Sequence, residues 1–372
     1  MAAARSSARS SGSSKSKLRV AFIGAGGIAG AHLKALATMD DVELVALADI
    51  NEQVMQQRAE EYNIPRENLF TDYEQMLEKI QPDAVDVCTP NGLHAPNAIA
   101  SLKAGAHVIV EKPMAMTAVE AREMIDTAKA HDRKLVIGFQ WRMHPKTEFL
   151  KRCAEEDRFG KILFGRVQAL RRRGIPNWGV FGRRDLQGGG PLIDIGVHML
   201  EQCHYVMGSP RPVAAMGQTF TYLGNKPSNE IVSQWAGWDY KSYTVEDLAV
   251  GHIRFDNGAV VHVESMFAGH IGPRSTMNFQ LMGEKGGCNF EEPAVYTDEA
   301  GHMVNISPGY LDPHPDLFHK KLRNFVDHVL HDTPSLCPAE HGLMVQQMLD
   351  GIYQSAEQGG KEVAIEELAT AQ

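Results

Sequence analysis

The sequence predicts an α/β fold of two domains, in which a doubly wound parallel sheet is followed by an antiparallel or mixed sheet. As far as about residue 141, continuous apolar runs alternate with helical stretches, which is typical of a parallel sheet covered on both faces. Beyond that point, strand-like segments follow one another with few helices between them. The 372 residues, of which 43% are hydrophobic and 22% charged, suffice for two packed cores.

The first domain is expected at residues 18–140. An apolar run at 18–24, a glycine turn, a helical pattern from Ile28 to Met39 and a second apolar run at 42–49 together predict a βαβ unit. Further segments continue the alternation, with strands at 84–90, 107–113 and 134–141 and helices near 94–104 and 117–131. Residues 1–17 are basic and Ser-rich without the apolar stretch of a secretory signal, so we expect a disordered tail.

The second domain is expected at residues 141–372. The segments with β character lie at 161–173, 212–220, 247–256, 259–267 and 275–283. Between the third and fourth of them, Asp256-Asn257-Gly258 predicts a tight hairpin, because Asn-Gly readily takes the positive φ angles of a primed turn. Helical patterns occur near 191–206, 315–330 and 339–357.

Charge and hydropathy exclude two classes of partner. The chain has 37 Lys and Arg against 46 Asp and Glu, a net charge of -9, and its first seventeen residues include four bases and no acid. The remainder therefore carries -13, which opposes binding to a phosphate backbone or an anionic membrane. There is also no apolar run of about 18 residues. We expect neither a nucleic acid nor a membrane as partner.

The cysteines favour a reducing compartment. They are five, widely spaced and without a C-x-x-C pair, at Cys88, Cys153, Cys203, Cys288 and Cys337. This pattern indicates neither a disulfide framework nor a thiolate metal site. The histidines near the chain end have helical or loop spacings that do not suggest a metal site either. We expect a cytoplasmic protein without a bound metal.

The glycine turn has the spacing G-x-G-x-x-A and runs through Gly24, Gly26, Gly27, Ile28 and Ala29. In such a turn the first glycine permits the tight bend, the second lets the backbone approach a pyrophosphate, and Ala29 keeps helix and strand close. Asp49 ends the second strand, where a carboxylate accepts hydrogen bonds from ribose hydroxyls. Because this charge repels a 2′-phosphate and Ile50-Asn51 add no cation, the sequence predicts NAD rather than NADP.

Two further groups of residues are suited to acid–base chemistry. Lys112 follows a strand at the carboxyl edge of the sheet, where it would stabilise a developing oxyanion, although a surface lysine at a strand end explains it equally well. Asp194 and His198 are four apart in a predicted helix, so both side chains would share one face and the carboxylate would hold the histidine as a general base with a pKa near the operating pH. A helix-capping Asp and a partly buried His are the alternative.

Several ordered motifs resemble the Gfo/Idh/MocA family of oxidoreductases, named for glucose-fructose oxidoreductase, inositol dehydrogenase and a rhizopine catabolism protein. They are GAGGIAGAHLKAL, the stretch from CTPNGLHAP to EKPMAMT (88–117), GFQWRMHP (138–145), GGGPLIDIGVHMLE (188–201) and MLDGIYQSAEQGGKEVAI (348–365). The resemblance implies an N-terminal Rossmann domain and a C-terminal α/β domain with a large open, mostly antiparallel sheet. It also implies closing helices that return to the Rossmann domain, and an NAD(P)-dependent oxidoreductase acting on a carbohydrate or cyclitol hydroxyl.

The resemblance also implies roles for individual residues. Lys112 would contact the nicotinamide ribose and the reacting oxygen, Asp194 and His198 would form the D-x-x-x-H pair, and His198 would take the hydroxyl proton. The cofactor would lie along Thr89, Pro90, Asn91, His94, Glu111 and Gln140, the last standing where many members have Asn.

Four other residues have two interpretations each. Trp178 would lie beside the nicotinamide while Arg171 or Arg173 binds substrate, or these residues form a solvated strand edge with a core tryptophan. Arg142, after Gln140, is likewise either a substrate-binding or a structural residue.

The same residues allow three functions. The first is a sugar or cyclitol dehydrogenase or reductase. The second is glycoside cleavage with catalytic NAD, in which oxidation of one carbon permits elimination of the aglycone. The third is a regulator without activity, although Lys112, Asp194 and His198 are all present.

A homodimer or homotetramer is predicted from the second sheet, because no following helix covers one of its faces. We expect Val261 or Val263 to face the partner.

Overall fold

The computed structural model describes residues 17–365, so the predicted tail lies, apart from Lys17, outside the described part. It contains a six-stranded and a nine-stranded sheet. Within residues 17–365, no helix is long and apolar enough to cross a membrane. All five cysteines are free and buried.

The first sheet is wholly parallel. Its strands and helices are β1 (Leu18–Ile23), α1 (Gly27–Leu36), β2 (Val42–Ala48), α2 (Glu52–Tyr62), β3 (Leu69–Phe70), α3 (Tyr73–Ile80), β4 (Ala84–Val87), α4 (His94–Lys103), β5 (His107–Val110), α5 (Ala118–Ala130) and β6 (Leu135–Ile137). The strand order is β3-β2-β1-β4-β5-β6. The order reverses between β1 and β4, and ligands of doubly wound sheets bind at that crevice. The predicted Rossmann sheet is confirmed.

The second sheet is mixed. Its elements are α6 (Pro145–Glu155), β7 (Ile162–Arg171), α7 (Arg184–Gln187), a π-helical turn (Leu192–Gly196), α8 (Val197–Val206), β8 (Pro212–Phe220), β9 (Leu248–Phe255), β10 (Val260–Met266), β11 (Ser275–Gly283), β12 (Gly286–Asn289), β13 (Ala294–Glu299), β14 (His302–Ile306), α9 (Leu317–His331), α10 (Ala339–Glu357) and β15 (Val363–Ala364). The order is β14-β13-β12-β11-β7-β10-β9-β8-β15. Only β7 and β10 pair in parallel, so the prediction of a mostly antiparallel sheet is confirmed.

The hairpin between β9 and β10 forms where it was predicted. Gly258 N donates to Phe255 O at 3.0 Å. Of the turn residues, Gly258 alone has a positive φ, +88°. The turn is therefore an ordinary one followed by a left-handed glycine, and the prediction of a primed turn with Asn257 at positive φ is wrong.

One face of the second sheet is covered by α8 and the π-helical turn, which pack on β7, β10 and β11. Val261 and Val263 both lie on this covered face and are fully buried, since residues two apart in a strand point the same way. The expectation that one of them faces a partner is wrong. On the opposite face, Met216, Phe220 and Met282 are each almost half exposed.

The last two helices return to the first domain. Helix α9 packs on α1, and α10 packs on α5 and β8. The carboxylate of Asp350, on α10, accepts the N–H of Ala118 at the start of α5 at 2.5 Å. Lys112, which follows β5 at the carboxyl edge of the first sheet, contacts Asp194, so this edge faces the second domain.

Candidate active site

The glycine turn is shaped by one close approach to the neighbouring strand end and by open space on its other side. Gly24 has a φ of +98°, and a Cβ there would lie 2.6 Å from Cys88 O, so only glycine fits. At Gly26 and Gly27, a Cβ would meet no described atom within 4 Å, because both face open space at the N-terminus of α1. That space would let a pyrophosphate reach the helix N–H groups.

Asp49 directly follows β2 and lies against the glycine turn, with both carboxylate oxygens on backbone N–H groups. Oδ2 accepts from Ala25 N at 2.6 Å and Oδ1 from Asn51 N at 2.7 Å. A cleft of about 490 Å³ opens beside it. The cleft has further lining residues that sequence reasoning missed: Thr71, Asp72, Tyr73, Leu93 and Asn97. The first three follow β3, too short a strand to be recognised from an apolar run.

The predicted cofactor strip is tied together by His94. Its ring nitrogens lie 2.7 Å from Pro113 O and 2.9 Å from Thr89 O. Farther along, Asn91 Nδ2 donates to Gln187 O of the second domain at 3.0 Å. His94 is buried, and these two contacts hold the loops of the predicted cofactor strip in place.

Lys112 and Asp194 form the centre of the site. Lys112 Nζ donates to Asp194 O at 3.0 Å and to Asp194 Oδ1 at 3.3 Å, and both side chains are only slightly exposed. An ammonium has three donors, so one remains for a ligand oxygen. The structure thus brings together two residues that are 82 positions apart.

Asp194 does not hold His198 as expected, since no hydrogen bond joins them among the described residues. The turn at Leu192–Gly196 is π-helical, with more residues per turn than an α-helix. Residues four apart therefore no longer share one face, as the prediction had assumed. His198 Nδ1 is buried without a partner in the described part of the chain. Burial and the positive charge of Lys112 hold the pKa of His198 well below its usual value, rather than near the operating pH. The imidazole is therefore neutral.

A buried ionic cluster lies behind Lys112. The Lys321 ammonium, on α9, donates to Glu111 Oε1 at 2.6 Å and lies 2.7 Å from His32 Nε2, and His32 Nδ1 lies 2.7 Å from Asp86. Burial opposes ionisation of Glu111, yet the Lys321 and His32 charges hold the pKa of that carboxyl well below its usual range. Glu111 Oε2 also accepts the backbone N–H of Lys112 at 3.2 Å.

Part of this cluster has the spacing of metal ligands. Among residues 17–365, His32, Asp86 and Cys88 are the one group whose ligand atoms converge in that way. The Lys321 ammonium already lies against His32 and serves as the cation there. We therefore interpret the group as part of the ionic cluster.

Gln140 and Arg142 are separated by the structure. Gln140 Oε1 is buried and has no partner among the described residues, as expected of an amide that faces a ligand. Arg142 instead points into the core, where its Nε donates to Glu201 at 2.7 Å and both side chains are fully buried. Its place among the predicted substrate-binding residues is thus corrected to a structural role. Burial raises the pKa of Glu201 to about 7 despite this partner.

Arg171 and Arg173, the two other arginines predicted to bind substrate, have different surroundings. Arg173 donates to the backbone carbonyls of Arg172 and Gly269 and so joins two loops. The Arg171 guanidinium lies over the rings of Trp235 and Phe267, 5.2 and 5.7 Å from their centroids. Burial lowers the pKa of Arg171, and the negative charge of Asp194 opposes this effect. Of the pair, Arg171 is the one that the Asp194 charge reaches.

The glycine run 188–190 depends on a residue that sequence reasoning missed. Glu246 is buried and accepts N–H groups from Gly190 at 2.9 Å and Leu192 at 3.2 Å. Tyr353 donates its hydroxyl to the same carboxylate at 2.8 Å. A Cβ on Gly189 would lie 2.1 Å from the Tyr353 oxygen, which explains the need for glycine. Glu246 therefore positions the turn that carries Asp194.

This arrangement agrees with a known family. Residues 18–139 match the Gfo/Idh/MocA family description "Oxidoreductase family, NAD-binding Rossmann fold", and residues 151–365 match "Oxidoreductase family, C-terminal alpha/beta domain". The chain belongs to this oxidoreductase family. The family resemblance seen in the sequence is confirmed.

Individual Gfo/Idh/MocA relatives act on sugars. The D-glucoside 3-dehydrogenase of Escherichia coli (strain K12) is 38% identical over 346 residues, which cover 92% of this chain and 97% of that protein. The levoglucosan dehydrogenase of Pseudarthrobacter phenanthrenivorans is 30% identical over 73% of each chain. Among solved structures, a levoglucosan dehydrogenase in complex with NADH and levoglucosan has a TM-score of 0.80, 25% identity and coverage of 94% of this chain and 99% of that chain. The prediction of a sugar or cyclitol oxidoreductase is in accord with all three.

Proposed function

We propose that this protein is an NAD-dependent dehydrogenase that oxidises a secondary hydroxyl of a D-glucoside or a closely related hexoside. The single observation that carries the proposal is the contact of Lys112 with Asp194 beside the carboxyl edge of a dinucleotide-binding sheet, four residues before a histidine whose pKa burial and the Lys112 charge lower. The similarity to a D-glucoside 3-dehydrogenase over nearly the whole chain supports the substrate class.

The residues divide the work of the reaction. Asp194 holds the Lys112 ammonium through two contacts, and the remaining N–H donates to the substrate hydroxyl oxygen. This contact stabilises the negative charge that develops as the proton leaves. The lowered pKa of His198 leaves its imidazole unprotonated at neutral pH, and His198 is the residue assigned to take that proton. NAD, when bound, would supply the hydride acceptor.

We propose NAD rather than NADP as the cofactor. Asp49 and Asp72 both line the cleft beside the glycine turn, and the following Ile50 is almost fully exposed and carries no charge. A 2′-phosphate would meet two carboxylates there. Asp49→Ser with Ile50→Arg should therefore shift the preference toward NADP. Calorimetric titration of the unmodified protein would contradict this if NADP bound as tightly as NAD.

The activity is tested by screening sugars, cyclitols and aryl glucosides while following NADH absorbance and aglycone release. Lys112→Met should lower kcat by about 10²–10³ and His198→Ala by about 10²–10⁴, with NAD binding largely retained. Aglycone release without NADH would instead indicate oxidation followed by elimination. If folded, NAD-binding protein turns over none of these substrates, the dehydrogenase is rejected and a regulator without activity is the remaining function.

We also propose a homo-oligomer assembled through the open face of the second sheet. Met216, His252 and His262 are opposite one another in adjacent strands of this face, and Phe220 and Met282 lie near its ends. Exposed apolar side chains on one broad face commonly mark an interaction surface. Light scattering should give at least twice the 41.0 kDa chain mass. Met216→Asp should dissociate the assembly, whereas a single-chain mass for the unmodified protein would reject it.

A further inference from the structure

Three aromatic rings form an aromatic platform, defined here as Trp178, Phe181 and Trp235. Trp178 packs edge to face on Trp235 with ring centroids 4.8 Å apart and on Phe181 at 6.1 Å. Trp178 is 50% exposed, an unusual share for a side chain that is highly buried on average. By contrast, Trp238 is 3% exposed and donates its indole N–H to Gly224 O at 2.8 Å, as a core tryptophan does.

The platform is fastened to the end of strand β7. Asn177 Nδ2 donates to Ala236 O at 2.7 Å, which joins the loops that carry Trp178 and Trp235. Gln234 N donates to Arg173 O at 3.3 Å, immediately beyond that strand. The position of the rings relative to β7 is therefore held by hydrogen bonds on both loops.

Arg171 connects the platform to the reacting centre. Its guanidinium lies 5.2 Å from the Trp235 ring centroid. Burial lowers the pKa of Arg171, and the negative charge of the Asp194 carboxylate opposes this effect. Its hydrogen bond within the described part of the chain goes to Gly174 O at 3.3 Å. The other N–H donors are left for solvent or a ligand. Lys112 contacts Asp194, whose charge acts on Arg171, and Arg171 lies over Trp235, which packs on the exposed Trp178.

We propose that the aromatic platform binds the aglycone of a glycoside whose sugar ring is oxidised at Lys112, with Arg171 donating to an oxygen of that sugar. The inference rests on the proposed function and deepens it. An apolar or aromatic aglycone covers the exposed indole, while a free monosaccharide or a cyclitol ends before reaching it. The platform therefore selects glycosides with a ring aglycone over free sugars.

The test compares kcat/KM for the anomeric 4-nitrophenyl D-glucosides with kcat/KM for D-glucose and the methyl D-glucosides. Trp178→Ala should lower the ratio of the aryl to the free-sugar value by about 2–12-fold, the range expected for one aromatic contact. Trp178→Phe should recover part of the loss. Tyr296→Ala is the matched control, since Tyr296 is also a partly exposed aromatic but lies on β13, near the far edge of the sheet.

Two results would overturn the proposal. An equal loss for every substrate together with weaker NAD binding would place Trp178 at the nicotinamide, and an unchanged ratio would leave the platform without a ligand. If the unmodified protein oxidises no sugar, the proposed function fails. Calorimetric titration with the aryl glucoside still decides the platform in that case: binding weakened by Trp178→Ala supports it, and binding unaffected by the substitution rejects it.

Discussion

Removing the charge of Lys321 should destabilise the protein more than almost any other single lysine substitution. The residue is 1% exposed, and its ammonium lies 2.6 Å from Glu111 Oε1 and 2.7 Å from His32 Nε2. Lys321→Met would leave the buried Glu111 carboxylate with the backbone N–H of Lys112 and His32 Nε2, each at 3.2 Å. The change therefore removes the ammonium that compensates a buried carboxylate, instead of simply deleting a contact.

The expected size of the effect follows from this geometry. Removing one partner of a buried ion pair costs about 3–5 kcal/mol, because the other charge stays desolvated and uncompensated. At the about 2 °C per kcal/mol expected of a large domain, Tm falls by ~6–10 °C. The double variant Glu111→Gln with Lys321→Met should recover most of this stability, since it buries no isolated charge.

Thermal and urea-induced unfolding of the three variants provide the measurement. Lys320→Met is the control from the neighbouring position on the same helix, where Lys320 pairs with Glu148 at 3.2 Å with both side chains more than 40% exposed. An exposed pair is worth about 0–1 kcal/mol, so its Tm should change by less than ~2 °C. If Lys321→Met destabilises no more than Lys320→Met, the argument from the buried ionic cluster is wrong.

Three other predictions concern the site. Because burial and Lys112 lower the pKa of His198, kcat/KM should stay level as the pH falls through 6.5 and decline only at lower pH; an acid limb centred at or above 6.5 would contradict this. Gly24→Ala should weaken NAD binding and cost about 1–3 kcal/mol of stability, checked by calorimetry and thermal unfolding, because its φ is +98° and the new Cβ meets a carbonyl. Glu246→Ala should lower kcat by about tenfold or more with NAD affinity nearly unchanged. The N–H groups that Glu246 orients belong to the turn carrying Asp194 and lie away from the glycine turn at residues 24–29. An equal loss of kcat and of NAD affinity would reject the positioning role of Glu246.

Much of the fold was predictable because it depends on local periodicity. The apolar runs at 18–24, 42–49 and 107–113 correspond to β1, β2 and β5, and the helical pattern at 339–357 coincides with α10. The two-residue strand β3 was not predicted, since two residues are too short for any period to appear. The π-helical turn at Leu192–Gly196 was also missed, because its hydrogen bonds depend on packing rather than on an apolar repeat.

The sequence by itself determined the parts of the site that follow from a strand end. Gly24, Gly26, Asp49 and Lys112 could be located because the carboxyl ends of parallel strands meet at one edge of the sheet. Local spacing also indicated Asp194 and His198, although not their mutual arrangement.

Only the tertiary structure decided which charges are partners. Arg142 was indistinguishable from Arg171 in the sequence, yet one is buried against Glu201 and the other lies between Trp235 and the centre of the site. Lys321 meets Glu111 across 210 positions of the chain. Such pairs leave no local pattern, because they are selected by the cost of burying an uncompensated charge, and that cost exists only after the two domains have packed together.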